Sequence, residues 1–176
     1  MREKIKIKLK LHQNKSKGPS FKIFCDNVLL CEKINCKFDQ YENTFDVELE
    51  KGKHSIRIQH FGKSPKDTDS TNKLDVAVQL DTLSFNSIRC SSIDLHQNYF
   101  YTSDWPYPVP KKIKDNLYFG FNGEYEYRFD TPSTAYVLSQ IKKYKKEMPQ
   151  LDRMDITEDE FLSILESHIK IELKSH

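Results

Sequence analysis

The chain has 176 residues, and its 28 Lys and Arg nearly balance 26 Asp and Glu, so the formal net charge at pH 7 is only +2. That balance excludes the strong overall positive field that would recruit nucleic acid or an anionic membrane surface. No apolar run approaches the roughly 20 residues of a membrane helix. Because the N-terminal residues lack the apolar block of a signal peptide, we expect synthesis and assembly in a cytoplasm.

The first predicted strand alternates apolar residues with lysines, which is typical of a strand with one buried and one exposed face. The apolar residues are Ile5, Ile7, Leu9 and Leu11, and the lysines are Lys4, Lys6, Lys8 and Lys10. We interpret the lysine face as solvated, or as protection of an edge strand against pairing. A ladder of ammonium groups that binds a polyanion is the alternative.

Three pairs of apolar runs separated by turn-forming residues predict β-hairpins. The runs are residues 21–25 and 28–31 across Asp26-Asn27, residues 44–49 and 54–60 across Lys51-Gly52-Lys53, and residues 117–121 and 124–129 around Asn122-Gly123. Between the second and third pairs, a strand within residues 74–85 changes the phase of its alternation. That change predicts a bulge near Asp81-Thr82.

After Thr131-Pro132 the periodicity becomes that of a helix, which is predicted over residues 133–146. Met148-Pro149 interrupts it. Thr157 and Glu160 then form a capping box ahead of a short amphipathic helix over residues 161–169.

These elements predict the fold class. Because hairpins follow one another without β-α-β alternation, we expect a mainly β protein, an antiparallel, jelly-roll-like β-sandwich with a C-terminal pair of short helices. The predicted domains are a β-sandwich over residues 1–131 and a helical C-terminal tail over residues 132–176.

The sequence contains no GxSxG, Walker A, GxGxxG or HExxH pattern, so no catalytic residue is predicted and the chain is expected not to be an enzyme. The four cysteines, Cys25, Cys31, Cys36 and Cys90, include no CxxC pair, and we expect reduced, mostly buried thiols. We interpret His60 as a partly buried, hydrogen-bonded residue at a strand end rather than as a ligand.

The polar loop after the second predicted hairpin concentrates acidic residues. Asp67, Asp69 and Asp75 place three carboxylates within nine residues, and hard oxygen ligands of this kind can assemble around calcium. The alternative is that they form Asx turns and strand caps. No cofactor is assigned beyond calcium on these three residues. Lys63, in the same loop, is a candidate ligand-binding residue.

Residues 99–107 hold five aromatic side chains in nine positions. Exposed rings offer flat apolar surfaces that stack on sugars or anchor a protein interface. The candidate ligand-binding residues are Tyr99, Tyr101, Trp105 and Tyr107. The alternative is a small apolar cluster that packs beneath the loop.

Three blocks of sequence carry a resemblance to known proteins: IRIQHFGK with the following Asp67-Thr68, DTLSFNSI and FGFNGEYEYRFDTP, at residues 56–63, 81–88 and 119–132. In these blocks the chain resembles small bacteriophage-encoded proteins whose β-sandwiches are similar to calcium-dependent carbohydrate-binding modules. The resemblance implies glycan binding or decoration of a virion. It would place Asp67, Asp69 and the region of Trp105 near a binding loop.

The functional expectation is therefore a non-enzymatic binding or assembly protein, a bacteriophage virion accessory or structural protein assembled in the host cytoplasm. Its expected partners are other virion or complex proteins, contacted through the C-terminal helices, and a surface glycan. Membrane and nucleic acid are not expected as partners. The alternatives are a soluble, cytoplasmic glycan-binding module and a small jelly-roll hydrolase.

Overall fold

The computed structural model describes residues 1–15, 17–103 and 105–147. The chain divides into two compact units, Met1–Lys142 and Lys143–His176. Of the second unit, the described residues are 143–147, which form the end of a helix. The predicted domains over 1–131 and 132–176 stay a prediction, because most of the tail lies outside the described residues.

The strands form two antiparallel sheets. The five-stranded sheet has the order β10 (Tyr118–Phe119), β6 (Ala77–Phe85), β1 (Arg2–His12) and β4 (Gln40–Glu48), with β7 (Ile88–Arg89) paired to β6. The six-stranded sheet has the order β3 (Val28–Lys33), β2 (Ser20–Cys25), β5 (Lys53–Phe61), β11 (Gly123–Asp130), β8 (Tyr99–Thr102) and β9 (Lys112–Lys114). Every neighbouring pair runs antiparallel.

Aromatic side chains from the two sheets meet in the core. The Phe85 ring of β6 lies 4.4 Å from the Phe129 ring of β11, centroid to centroid. Phe119 of β10 stacks on Phe100 of β8 at 5.0 Å and lies 5.3 Å from Tyr125 of β11. All five rings are buried, and each contributes roughly 1.5–3 kcal/mol of burial free energy. The predicted antiparallel β-sandwich is confirmed.

Strand β1 is confirmed, but it lies inside its sheet, paired to both β4 and β6. The interpretation of its lysines as edge protection is therefore wrong. The lysine face is solvated, as the other interpretation proposed, and Lys6 and Lys8 form ion pairs with Glu42 at 2.6 Å and Asp81 at 3.7 Å. The bulge is confirmed at Asp81, because Lys8 pairs with Thr82 while Leu9 pairs with Leu80.

The hairpin of β2 and β3 across Asp26-Asn27 is confirmed, with Cys25 opposite Val28. The other two predicted hairpins are wrong. β4 and β5 belong to different sheets, as do β10 and β11, so each short connection crosses from one sheet to the other. Alternation shows which face of a strand is buried, but two strands that face each other across the core alternate in the same way as two hydrogen-bonded neighbours.

The helix α2 (Ser133–Glu147) confirms the helix predicted over residues 133–146. Its first turn is anchored by Glu3 of β1, a buried carboxylate that accepts hydrogen bonds from the hydroxyl and backbone N–H of Ser133. The second predicted helix, with Thr157, Glu160 and residues 161–169, lies outside the described residues.

Two further short helices were not predicted: α1 (Ser92–His96) and a 3-10 turn at Pro65–Asp67. In the described part of the chain, no helix combines the length and the apolar character needed to cross a membrane.

The prediction of reduced, mostly buried thiols is confirmed. All four cysteines are free, with Cys25, Cys36 and Cys90 buried and Cys31 half-buried. Burial, together with the neighbouring Asp26 carboxylate, raises the pKa of the Cys25 thiol to about 11, so this thiol stays protonated at neutral pH.

Candidate functional site

The outer face of the six-stranded sheet carries side chains aligned in two rows across the strands. Residues opposed in an antiparallel pair share a face about 5 Å apart, so the rows follow from the register. The first row is Glu32, Lys22, Gln59, Glu124, Tyr101 and Lys112, and the second is Phe24, Arg57, Glu126, Tyr99 and Lys114. The residues between the rows face the core. We call these two rows the charged aromatic face.

Tyr99 and Tyr101 form the aromatic part of this face. Their ring centroids lie 6.3 Å apart, and between them on β8 Phe100 is fully buried. The ammonium of Lys112 lies 3.6 Å from the Tyr99 centroid and 5.6 Å from that of Tyr101. Tyr101 is 39% exposed, so its ring is open to a ligand.

A glycine lets β8 lie close to β11 at this point. A Cβ atom added to Gly123 would lie 2.3 Å from the carbonyl oxygen of Tyr101 and 2.7 Å from the Phe100 ring. The glycine that suggested a turn in the sequence is therefore the first residue of β11, opposite Thr102. It is needed there for close approach of the neighbouring strand.

The acidic residues of the charged aromatic face are held by basic neighbours. Arg57 donates to both carboxylate oxygens of Glu124 at 3.3 Å and to the carbonyl oxygen of Asp26 at 2.7 Å. Arg128 lies 2.8 Å from the Glu126 carboxylate. These contacts hold donors and acceptors in fixed positions beside the two tyrosines.

A cavity of about 470 Å³ opens at the α2 end of the same sheet surface. Part of its polar lining comes from the pairs Ser55–Arg128 and Lys53–Asp130 of β5 and β11, which continue the pattern of rows. The rest of its wall is formed by Asp26, His54, Glu126, Phe129 and Tyr136. Glu126 belongs to both the cavity and the charged aromatic face, so the two features are continuous.

His54 is the titratable residue of this cavity with the clearest hydrogen bonding. Its Nδ1 lies 2.8 Å from the Asp26 carboxylate and its Nε2 lies 3.0 Å from the Glu50 carbonyl oxygen. Burial lowers the pKa of His54, but these two acceptors outweigh it and raise the pKa above its ordinary value. Because both ring nitrogens are engaged, His54 offers no free nitrogen to a substrate.

The other two predicted aromatic residues follow β8 in the chain. Trp105 is half-buried, with its ring 5.5 Å from Phe121 in an edge-on arrangement. Tyr107 is 62% exposed. The structure thus brings Tyr99 and Tyr101 together on one face and places Trp105 against Phe121. Their roles as ligand-binding residues stay predictions.

Lys63 lies away from the charged aromatic face, and its ammonium is enclosed. The side chain is 2% exposed, and its Nζ lies 2.5 Å from Asp75 Oδ1 and 2.6 Å from the carbonyl oxygen of Gly120. Its backbone N–H and C=O bond to the side chain of Asn122. Lys63 therefore anchors the connection between β10 and β11, and its role as a ligand-binding residue stays a prediction.

The structure does not gather Asp67, Asp69 and Asp75 around one point. Each lies beside its own lysine ammonium: Lys17 at 2.6 Å, Lys15 at 3.7 Å and Lys63 at 2.5 Å, respectively. Asp67 and Asp69 also accept hydrogen bonds from Ser64 and Asn72, as the alternative of local turns and caps proposed.

The Asp75 carboxylate accepts hydrogen bonds from a lysine ammonium and from two hydroxyl groups. Burial raises the pKa of this carboxyl, but hydrogen bonds from Lys63, Thr68 and Tyr118 outweigh it and hold the pKa below its ordinary value. Within the described residues no group of three His, Cys, Asp or Glu side chains comes close enough together to hold a metal ion. The three carboxylates as arranged here do not fit a calcium ion.

His60 is more deeply buried than predicted, with no exposed surface. Its Nδ1 lies 2.9 Å from the Phe121 carbonyl oxygen, and its Nε2 has no hydrogen-bond partner among the described residues. Burial lowers its pKa to about 4. The interpretation as a hydrogen-bonded residue at a strand end is confirmed, and the imidazole is neutral at pH 7.

Sequence reasoning missed most of the charged aromatic face. Arg57, Glu124 and Glu126 alternate with buried residues in their strands, so their outward orientation was readable. Lys112 lay in no predicted strand, but it begins β9. Their assembly with Tyr99 and Tyr101 depends on the order β5, β11, β8 and β9, which pairs strands distant in sequence.

Comparison with known proteins gives a similarity in fold. No protein-family model and no curated protein matches the chain. One similar solved structure is vCBM60, from a study of circular permutation between two families of calcium-dependent carbohydrate-binding modules. It is 12% identical, with a TM-score of 0.48, and the match covers 71% of this chain and 89% of that one. A structure of vCBM60 in complex with galactobiose is also 12% identical, with a TM-score of 0.46 and coverage of 70% and 96%. This similarity does not identify a function for the chain.

Proposed function

We propose that this chain is a non-enzymatic binding protein whose ligand is a carbohydrate held on the charged aromatic face. The observation that carries the proposal is the pair of Tyr99 and Tyr101 on the outer side of an antiparallel sheet. A pyranose ring has an apolar C–H face that packs on an aromatic ring, and sites of this kind combine rings with a few fixed polar groups.

The polar neighbours complete the chemistry of such a site. Glu124 and Glu126 lie directly opposite Tyr101 and Tyr99, and their carboxylates can accept hydrogen bonds from sugar hydroxyls. Gln59, opposite Glu124, adds both donors and acceptors. Because Arg57 and Arg128 fix the two carboxylates, ligand binding would require little further ordering of these side chains.

A glycan array probed with the full chain, followed by calorimetry on the strongest ligands, tests the proposal. We expect Tyr101→Ala to reduce affinity about tenfold or more, because one stacking face is lost. Phe38→Ala is the matched control, since it also removes an exposed aromatic ring. Phe38 is 67% exposed and lies outside this face. Absence of glycan binding at millimolar concentration, or equal losses in the two variants, would contradict the proposal.

The proposal includes neither catalysis nor calcium. Catalysis is left out because the two histidines of this sheet offer no free ring nitrogen to a substrate: both nitrogens of His54 are engaged, and His60 is enclosed. Calcium is left out because the carboxylates expected to bind it lie beside lysines.

A second candidate function is that of a bacteriophage virion accessory or structural protein, assembled in the host cytoplasm with the sandwich as its scaffold. The observation that favours it is exposed apolar surface on and just after the edge strand β3. Val28, Leu29, Ile34 and Phe38 are 65%, 48%, 66% and 67% exposed. Exposed apolar side chains mark a protein contact where they form one contiguous patch, and these four lie close together in the chain.

The two candidate functions differ in which variant should lose function: the variant of the apolar residues or the variant of Tyr101. If the chain is a virion component, it should purify within a large particle, and Val28→Ser with Phe38→Ser should release it. Tyr101→Ala should leave the particle intact. A chain that is produced with the particle but never co-sediments with it would refute the second candidate and leave the first untouched.

A further inference from the structure

The ion pairs of the charged aromatic face are concentrated on one side of it. Its three carboxylates each have a basic partner: Glu32 lies 3.2 Å from Lys22, Glu124 lies 3.3 Å from Arg57, and Glu126 lies 2.8 Å from Arg128. The three carboxylates and their basic partners all lie on β2, β3, β5 and β11. That side of the face is close to electrically neutral.

The opposite side, at the edge strand β9, carries two lysines that have no carboxylate partner in the part of the chain that the structure describes. Lys112 and Lys114 are both exposed, and neither forms an ion pair with any described residue. The nearest carboxylates in the same rows, Glu124 and Glu126, are two strands away, about 10 Å at the usual strand spacing.

The position of Lys112 makes it suitable for a ligand. The Tyr99 and Tyr101 rings hold its ammonium at 3.6 and 5.6 Å. A ring face offers no lone pair, so the N–H donors of the ammonium that point away from the rings are left to water or to an anion. A ligand stacked on Tyr101 would therefore lie directly beside a positioned, uncompensated positive charge.

We infer that the carbohydrate bound by this face is acidic, a glycan that carries a carboxylate or a sulfate group. Its sugar ring stacks on Tyr101, and its anionic group binds Lys112 and Lys114. The inference rests on the proposed function, and it names the class of ligand. A carboxylate and a sulfate offer the same recognition chemistry, an oxyanion that accepts charge-assisted hydrogen bonds.

Matched pairs of probes test the inference. Oligogalacturonate is compared with its methyl ester, and a sulfated galactan oligosaccharide with its desulfated form, using the full chain and calorimetry. We expect the acidic member of at least one pair to bind about tenfold more tightly or better, and this advantage to shrink as salt is raised. The pair that shows the advantage identifies which anionic group is recognised.

Three lysine variants test whether Lys112 recognises the anionic group. Lys112→Gln should remove most of the advantage of the acidic probe over its neutral partner, and Lys112→Arg should restore most of it. Lys10→Gln is the matched control, because Lys10 is an exposed lysine on the outer face of the five-stranded sheet and forms no ion pair within the described part of the chain. It should change nothing.

The possible failures are distinguishable. If neutral and acidic probes bind equally, the inference is wrong and the proposed carbohydrate site stands. If no glycan binds at all, the proposed function itself fails. If single-stranded oligothymidylate binds more tightly than every glycan, the lysines and rings serve a nucleic acid, and the inference is overturned.

Discussion

The ammonium of Lys112 lies 3.6 Å from the centroid of the Tyr99 ring. The two residues are not directly opposed, since β9 places Lys112 opposite Tyr101 and Lys114 opposite Tyr99. Lys112 therefore reaches diagonally across the pair, and one cation contacts both rings. The sequence predicted the two tyrosines of the charged aromatic face, whereas the position of Lys112 beside them follows from the order of the strands. The diagonal contact joins these two parts.

The contact predicts a spectroscopic signature. The ring current of Tyr99 should shift the ε-methylene protons of Lys112 upfield, and Tyr99→Leu should return them towards the value of an exposed lysine. The cost in stability should be small, about 0.5–1 kcal/mol for an exposed cation–π contact. The ε protons of Lys10 serve as the reference within the same spectra. An unchanged Lys112 signal in the variant would show that the contact is absent in solution.

The enclosed ion pair of Lys63 and Asp75 predicts a large loss of stability. Lys63→Met leaves the Asp75 carboxylate without its closest cation and should lower the free energy of unfolding by about 3 kcal/mol. Lys15→Met is the matched control, because the Lys15 side chain is 70% exposed and lies 3.7 Å from Asp69; its cost should stay below about 1 kcal/mol. Urea denaturation measures both, and equal costs would contradict the account.

The same lysines predict the response to metal. Because an ammonium already lies beside each of Asp67, Asp69 and Asp75, neither calcium nor EDTA should change the melting temperature. A rise in melting temperature with millimolar calcium, abolished by Asp75→Asn, would refute this and support the calcium site that the sequence suggested.

Burial of His60 predicts a loss of stability in acid. Its pKa is lowered to about 4 in the folded protein from an ordinary value of 6.5. Between these values the unfolded chain binds a proton that the folded protein excludes, so stability should fall as the pH falls from about 6.5 to about 4. At about 1.4 kcal/mol for each pH unit, the loss is on the order of 3 kcal/mol.

Urea midpoints between pH 7 and pH 4 measure this loss. His60→Asn keeps a donor for the Phe121 carbonyl oxygen but cannot titrate, so its stability should depend less on pH. His54→Gln is the control, because His54 contributes to the pH dependence of stability with the opposite sign. The pKa of His54 is raised by its acceptors despite burial, so its stabilising contribution is present below pH 6.5 and fades above that value. Identical slopes for the wild type and His60→Asn would contradict the assignment.

The sequence predicted strands well and their partners poorly. The alternation in β4, β5 and β11 correctly assigns buried positions such as Val47, Ile56 and Tyr127. It does not distinguish a hairpin from a connection between sheets, because both bury one face of each strand. Gly123 was misassigned for a related reason, since close packing of β8 requires a glycine as strictly as a turn does.

The residues of the candidate site also divide into those visible within one segment and those brought together by the fold. Tyr99 and Tyr101 were predicted because clustered aromatic residues are visible within one segment. The lysines that neutralise the acidic loop were missed, because Lys15 and Lys17 lie about fifty residues before their partners. Contacts between segments that distant are set by the sandwich topology, which local pattern does not encode.

The central claim is that the charged aromatic face binds carbohydrate. Titration of oligogalacturonate into the ¹⁵N-labelled chain, followed by chemical-shift mapping, tests it most directly. The account predicts that the largest shifts fall on Tyr99, Tyr101, Lys112 and Glu124, while Lys4, Lys6 and Lys10 on the other sheet do not move. Shifts centred on the lysine face of β1, or no shifts at all with any member of the two probe pairs, would contradict it.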